Sequence, residues 1–129
     1  FFGVRVRDYF LESGTEITNV NHIVLSSVVP RLTEKLKYVV RNLFGKEPIV
    51  LGPSVYSSLP IDVLNPYEIG SDLVANALAA FTKYRQTCII VDFGTALTFT
   101  TVSHQGKILG VSIAPGLKTA IRSLSQNTA

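Results

Sequence analysis

The chain has 129 residues, 47% of them hydrophobic, and a formal net charge of +3. Its charges are spread along the chain, and no apolar run approaches the roughly 18 residues of a membrane span, so we expect neither a nucleic-acid nor a membrane partner. The single cysteine excludes an intrachain disulfide and suits a reducing, cytoplasmic location. Because the sequence begins at Phe1, ends at Ala129 and shows no signal-peptide pattern, we interpret it as an internal fragment.

The first half of the chain alternates helical and strand patterns. Residues 1–13 are amphipathic and predict a helix. Residues 22–29 predict a buried strand, Pro30 is suited to the first turn of a helix that ends at Gly45, and residues 48–51 predict another strand. A strand, a helix and a strand within about 30 residues indicate a βαβ unit with a parallel sheet.

The second half of the chain predicts a different order of elements. Residues 53–69 are loop-like, and a helix begins near Gly70 with Ser71 or Asp72 as its cap. The elements that follow are a strand pair over 87–103, a hairpin turn at 104–106, a third strand over 107–113 and a helix from about Leu117. Three antiparallel strands before a helix place a domain boundary near residues 85–86.

Residues 88–100 carry the most distinctive pattern. Cys88–Val91 predicts a buried strand, and Asp92, Gly94 and Thr95 then surround a tight turn before an alternating strand. Glycine permits a close backbone approach, and successive N–H groups in such a turn can form a concave anion site. We interpret the turn as a site for nucleotide phosphates; an ordinary hairpin with Gly94 as its turn residue is the alternative.

A second acidic motif, Gly70-Ser71-Asp72, lies one helix and one strand before Asp92. A helix that leads back into a strand can bring both carboxylates to the same crevice. The helix dipole favours a carboxylate at the helix start, and a plain helix cap is the alternative role of Asp72. Asp-Phe-Gly also occurs in protein kinases, but the His-Arg-Asp loop of those enzymes and the Walker phosphate loop are absent from this sequence.

Together and in this order, the motifs resemble those of the type III pantothenate kinases, which belong to the actin-like, sugar-kinase-like phosphotransferases. The matching segments are Ser26–Pro30, Asn65-Pro66, Gly70-Ser71-Asp72, Asn76-Ala77, Ala79-Ala80, Val91–Ala96, Gly110, Ile113, Pro115–Leu117 and Thr128-Ala129. The resemblance implies an α/β, ribonuclease-H-like (actin-like ATPase) fold with parts of two duplicated domains. Residues 1–86 would be the later part of the N-terminal domain, including the acid-motif helix, and residues 87–129 the β-meander and helix that start the C-terminal domain.

The resemblance also implies an activity. A type III pantothenate kinase transfers the γ-phosphoryl group of ATP to the primary hydroxyl of pantothenate, forming 4'-phosphopantothenate in the first step of coenzyme A biosynthesis. By this similarity Asp72 is the general base. Gly70, Ser71, Asp72 and Leu73 would line the pantothenate pocket.

The remaining implied contacts concern the nucleotide and its cations. By similarity, Gly94 and Thr95 contact the phosphates of ATP, and Asp92 is the metal ligand that binds a monovalent cation, K⁺ or NH₄⁺. A cation there would offset the repulsion between the carboxylate and the phosphates. The resemblance further implies Mg²⁺ as a cofactor and a cytoplasmic homodimer.

The sequence departs from the family pattern at several points. Leu73 stands where the family usually has an arginine, which would engage the substrate through a charge-assisted hydrogen bond, and Val63 stands where it often has a tyrosine. The Asp-x-Gly-Asn-Thr phosphate loop and a later Asn-Thr segment are not in this sequence, so we expect these residues alone to be inactive. The alternatives are a related kinase for a sugar or another alcohol, and a non-catalytic regulatory protein of the same fold.

Overall fold

The computed structural model describes residues 2–127 and divides into two compact units, of which the first ends at Val55 and the second begins at Tyr56. Helices, a parallel strand pair and an antiparallel sheet confirm the α/β class. The predicted domain boundary lies inside the second unit, and the two ribonuclease-H-like domains stay a prediction. The matching pair Thr128-Ala129 lies outside the described residues. No described helix is both long enough and apolar enough to span a membrane.

The first unit has the predicted βαβ order. Its elements are α1 (Phe2–Ser13), a 3-10 turn (Ile17–Asn19), β1 (Val24–Leu25), α2 (Pro30–Phe44) and β2 (Ile49–Val50). Strands β1 and β2 pair in parallel, which confirms the crossover. The Phe10 and Phe44 rings meet edge to face, with 5.6 Å between their centroids, and pack α1 against α2. Strand β1 is shorter than predicted, because only two residues pair with β2.

Both ends of α2 follow from local chemistry. Pro30 occupies the first turn after Val29, which is extended, because a residue before proline avoids the helical region. Gly45 ends the helix in the left-handed conformation, with φ of 64°, and its N–H donates to the Arg41 carbonyl at 2.8 Å. The predicted start and end of this helix are therefore confirmed.

The second unit contains the antiparallel sheet. The helices and strands from residue 53 onward are α3 (Pro53–Tyr56), which contains the division between the units, α4 (Ser71–Tyr84), β3 (Cys88–Phe93), β4 (Ala96–Val102), β5 (Ile108–Pro115) and α5 (Leu117–Asn127). The sheet has the order β3-β4-β5 with antiparallel neighbours, which confirms the predicted meander. Helix α3 replaces part of the predicted loop over 53–69, and β5 continues two residues beyond its predicted end.

Helix α4 lies on one face of this sheet. Its Val74 and Ala77 side chains are fully buried, and Phe81 nearly so. Thr100 and Val102 of β4 are the most buried side chains of the sheet. The burial of one valine or phenylalanine side chain contributes about 1.5–3 kcal/mol, so this contact fixes where α4 lies on the sheet.

The opposite face of the sheet is exposed in the described residues. Ile89 and Phe93 of β3 are 68% and 77% exposed, and Val91 between them is also exposed. The prediction of a buried strand over 88–91 was therefore wrong, because one of its faces is exposed. Successive side chains of a strand point to opposite faces, and α4 covers the face that carries Ile90 and Asp92.

The turn between β3 and β4 packs closely against the start of α5. The Gly94 N–H donates to the Ala96 carbonyl at 3.0 Å, and the Gly116 N–H donates to the Thr95 carbonyl at 3.1 Å. A Cβ atom on Gly116 would lie 2.2 Å from the Thr95 carbonyl oxygen. Only glycine therefore allows α5 to begin this close to the turn.

Replacement of Gly116 by alanine should destabilise the protein, because the new methyl group would push the turn away from α5. We expect the free energy of unfolding to fall by about 1–3 kcal/mol, as in other overpacked sites. The control is Gly110→Ala in β5, where a new Cβ meets no atom within 4 Å. Urea denaturation of both variants measures the difference, and equal losses of stability would contradict the close approach.

Candidate functional site

The first turn of α4 carries the Asp72 carboxylate. Gly70 precedes the helix in an extended conformation, and its carbonyl accepts from the Leu73 and Val74 N–H groups at 3.1 and 3.2 Å. The prediction that Ser71 or Asp72 is the cap was therefore wrong, because both already lie inside the helix. Asp72 is exposed, and its Oδ1 atom accepts a hydrogen bond from the Leu73 N–H at 3.0 Å.

The second acid, Asp92, is held by a side chain of α4. The Asn76 Nδ2 group donates to Asp92 Oδ2 at 3.0 Å, and both residues are partly buried. Asn76 follows Asp72 by one helical turn, so the two side chains lie on the same side of α4. Helix α4 thus carries Asp72 and also the side chain that bonds to Asp92. That both carboxylates face one crevice stays a prediction, since Asn76 and Asp92 line one pocket and Gly70 and Leu73 line another.

A threonine hydroxyl lies beside this pair. Thr98 of β4 is the direct cross-strand partner of Asp92, on the sheet face that α4 covers. Its Oγ1 atom is buried and has no hydrogen-bond partner among the described residues. Buried hydroxyls are normally paired, so this oxygen marks a polar position next to the carboxylate.

The predicted phosphate turn opens onto a pocket of about 480 Å³. Gly94 and Thr95 line one side, and Gly116 and Lys118 at the start of α5 line the other. Gly94, Thr95 and Lys118 are exposed. A helix start and a lysine both favour an anion, so this pocket can accept phosphate groups.

A second pocket, of about 430 Å³, lies at the start of α4. Of the four predicted substrate residues, Gly70 and Leu73 line this pocket. Ile108 and Val111 of β5 also line it, so much of its wall is apolar. Ser71 is buried at the helix start.

Tyr56 is a neighbour of Asp72 that no sequence motif indicated. The Tyr56 side chain is only 4% exposed, and burial raises its pKa above the usual value. The Asp72 carboxylate raises the Tyr56 pKa further, because a nearby negative charge disfavours the phenolate. Asn76, by contrast, had a signal in the sequence, since its spacing from Asp72 places both on one helical face.

One acid at a helix start, a second acid on a strand and a glycine-threonine turn are the features by which the sequence resembles a phosphotransferase. The family model described as type III pantothenate kinase matches residues 2–129. The chain belongs to the type III pantothenate kinase family.

Individual relatives agree with this assignment. The chain is 47% identical over 119 residues to a type III pantothenate kinase of Treponema pallidum strain Nichols, covering 91% of this chain and 44% of that protein. It is 42% and 40% identical over 125 residues to the proteins of that name from Geotalea uraniireducens and Geobacter sulfurreducens, covering 97% of this chain and 49% of each. The chain thus spans about half the length of the curated relatives it matches.

Replacement of Asp72 by asparagine should lower the Tyr56 pKa, because it removes one of the two causes of the raised value. The pKa should stay above the usual value of about 10, since burial is the larger cause. NMR titration of ¹³Cζ-labelled tyrosine, with Tyr56→Phe for assignment, measures the change. An unchanged Tyr56 pKa in the Asp72→Asn protein would show that the two groups are not neighbours.

The exposed Asp62 offers the matched control, since Asp62→Asn removes a carboxylate of the same unit and should leave the Tyr56 pKa unchanged.

The raised pKa of Tyr56 in the folded state also makes the stability of the protein depend on pH. The contribution of Tyr56 to the free energy of unfolding is fully present below about pH 10 and is lost as the pH rises through the folded-state pKa.

Proposed function

We propose that the complete protein transfers the γ-phosphoryl group of ATP to the primary hydroxyl of pantothenate, the first step of coenzyme A biosynthesis. The observation that carries this proposal is the hydrogen bond to Asp92 from Asn76, which lies one helical turn after Asp72, within one unit and next in sequence to the predicted phosphate turn. Relatives at 40–47% identity are named type III pantothenate kinase. We expect the complete protein, like its relatives, to have further segments that complete the site.

Asp72 serves as the general base. The Leu73 N–H occupies Oδ1 and holds the carboxylate, so Oδ2 can accept the proton of the substrate hydroxyl. The hydroxyl oxygen forms a bond to the γ-phosphorus while the bond from that phosphorus to the bridging oxygen of ADP breaks. ADP leaves with the electron pair, and the proton stays on Asp72. Such a transfer depends mainly on positioning and on stabilisation of charge, which a carboxylate held at a helix start supports.

Gly94 and Thr95 contribute the phosphate contacts. Their turn is fixed by the hydrogen bonds from Gly94 to Ala96 and from Gly116 to Thr95, so its groups need little reorganisation when charge develops. The exposed Lys118 at the same pocket adds a positive charge that can approach the phosphates. Preorganised groups of this kind stabilise the transferring phosphoryl group more than mobile water does.

Asp92 suits a monovalent cation, K⁺ or NH₄⁺. Asn76 engages Oδ2 of the carboxylate, so Oδ1 can serve as a ligand. No group of three His, Cys, Asp or Glu side chains that could hold a metal occurs in the described part of the chain. When bound, the cation would supply positive charge that offsets the repulsion between the Asp92 carboxylate and the phosphates. Mg²⁺ would enter with ATP, because it is usually held through substrate phosphates and few carboxylates.

The pocket at the start of α4 can accommodate pantothenate. Leu73, Ile108 and Val111 present apolar groups, which suit the two methyl groups beside the reactive hydroxymethyl of pantothenate. Asn65 and Glu68 of the same pocket offer polar groups for the rest of the substrate. Leu73 in place of the usual arginine is nevertheless the feature that favours a second candidate, phosphorylation of another alcohol. We further propose a cytoplasmic homodimer, as the family resemblance implies.

The complete protein with Asp72→Asn should lose catalysis while it still binds ATP, because an amide cannot take the hydroxyl proton. We expect kcat with ATP and pantothenate to fall by about 10²- to 10⁴-fold, the usual contribution of a general base. The control is Asp62→Asn, which changes an exposed carboxylate of the same unit and should retain activity. A coupled assay of ADP release measures both variants.

A panel of alcohols tests the second candidate. Turnover with a sugar but not with pantothenate would overturn the substrate assignment. Full activity of the Asp72→Asn protein would overturn the catalytic role of Asp72. A biological role that survives this substitution without any kinase activity would favour the non-catalytic regulatory alternative.

A further inference from the structure

We propose that Asn76 is a positioning residue that fixes the Asp92 carboxylate toward its monovalent cation and holds it at a set distance from the general base. This inference rests on the proposed function and deepens it, because it assigns a specific role to a side chain that the sequence indicated only by its place in a matching segment and its spacing from Asp72.

The hydrogen bond from Asn76 Nδ2 to Asp92 Oδ2, at 3.0 Å, restricts rotation of the carboxylate. A bond from a neutral amide to a charged group is stronger than one between neutral groups. Because it engages Oδ2, the carboxylate presents Oδ1 in one direction instead of rotating freely. An asparagine achieves this without a second negative charge beside the predicted phosphate turn.

The hydroxyl of Thr98 does not orient the Asp92 carboxylate. Thr98 lies directly opposite Asp92 across the strand pair, at a spacing where side chains are in reach, yet its hydroxyl has no hydrogen-bond partner in the described part of the chain. Asn76 is therefore the side chain whose donated bond orients this carboxylate.

Helix α4 also links Asn76 rigidly to Asp72. Four residues of α-helix rise by about 6 Å. The helix backbone therefore sets the distance between Asp72 and Asn76. Buried Val74 and Ala77, on either side of Asn76 in sequence, prevent the helix from rotating on the sheet. The substrate alcohol and the cation are thus aligned by one element.

The test uses the complete protein with Asn76→Ala and Asn76→Asp, and Asn42→Ala as the matched control, since Asn42 is an exposed asparagine of α2. Potassium is the probe. We expect Asn76→Ala to raise the K⁺ concentration for half-maximal activity by about tenfold, the scale of one charge-assisted hydrogen bond. Asn76→Asp should raise it further, because a carboxylate would face Asp92. The KM for pantothenate should change by less than about twofold.

A measurement without substrates separates positioning from folding. We expect KCl, compared with NaCl at equal ionic strength, to raise the unfolding temperature of the wild type and of Asn42→Ala but less that of Asn76→Ala. In an Asp92→Asn background, Asn76→Ala should add no further change in the potassium response. A lower unfolding temperature of Asn76→Ala with an unchanged potassium response would overturn the proposal, as would a wild type that does not respond to potassium.

These readouts also separate this inference from the proposed function. If the wild type responds thermally to potassium through Asn76 but does not phosphorylate pantothenate, the proposed substrate fails and the role of Asn76 stands. If the wild type phosphorylates pantothenate in a potassium-dependent way and Asn76→Ala needs the same K⁺ concentration for half-maximal activity, the proposed function stands and the role of Asn76 fails.

Discussion

The packing of α4 on one face of the β3-β4-β5 sheet determines the geometry of the whole site. Val74 and Ala77 are completely buried there, against a sheet face whose centre is Thr100 and Val102. The burial of a few such side chains contributes several kcal/mol, whereas a hydrogen bond to a charged group contributes about 1.5–3 kcal/mol. Packing therefore sets the position of the helix, and the bond between Asn76 and Asp92 sets the orientation of one carboxylate on it.

The elements that were predictable from the sequence are those with strong local signals. Pro30 and Gly45 delimit α2 through their own backbone preferences, which act whatever surrounds them. The alternation of β4 and the hairpin turn before β5 likewise depend on nearby residues. The extent of β1 and the exposure of Ile89 were not predictable, because pairing and coverage depend on parts of the chain that are distant in sequence.

The candidate site shows the same division between local and distant causes. Asp72, Asp92 and the Gly94-Thr95 turn stand out in the sequence because they occur in the order that resembles the family's motifs. The bond from Asn76 required the register of a helix against a strand. The burial of Tyr56 required knowledge of a helix in a segment that looked like a loop. Because the chain belongs to the type III pantothenate kinase family, we interpret these residues together as parts of one proposed site for phosphoryl transfer.

The close approach of Gly116 to the β3-β4 turn has a mechanical consequence. Since no space separates the Thr95 carbonyl from the first turn of α5, the turn and the helix must move as one body. A displacement of the turn would therefore also displace the first turn of α5 and the pocket that the two enclose.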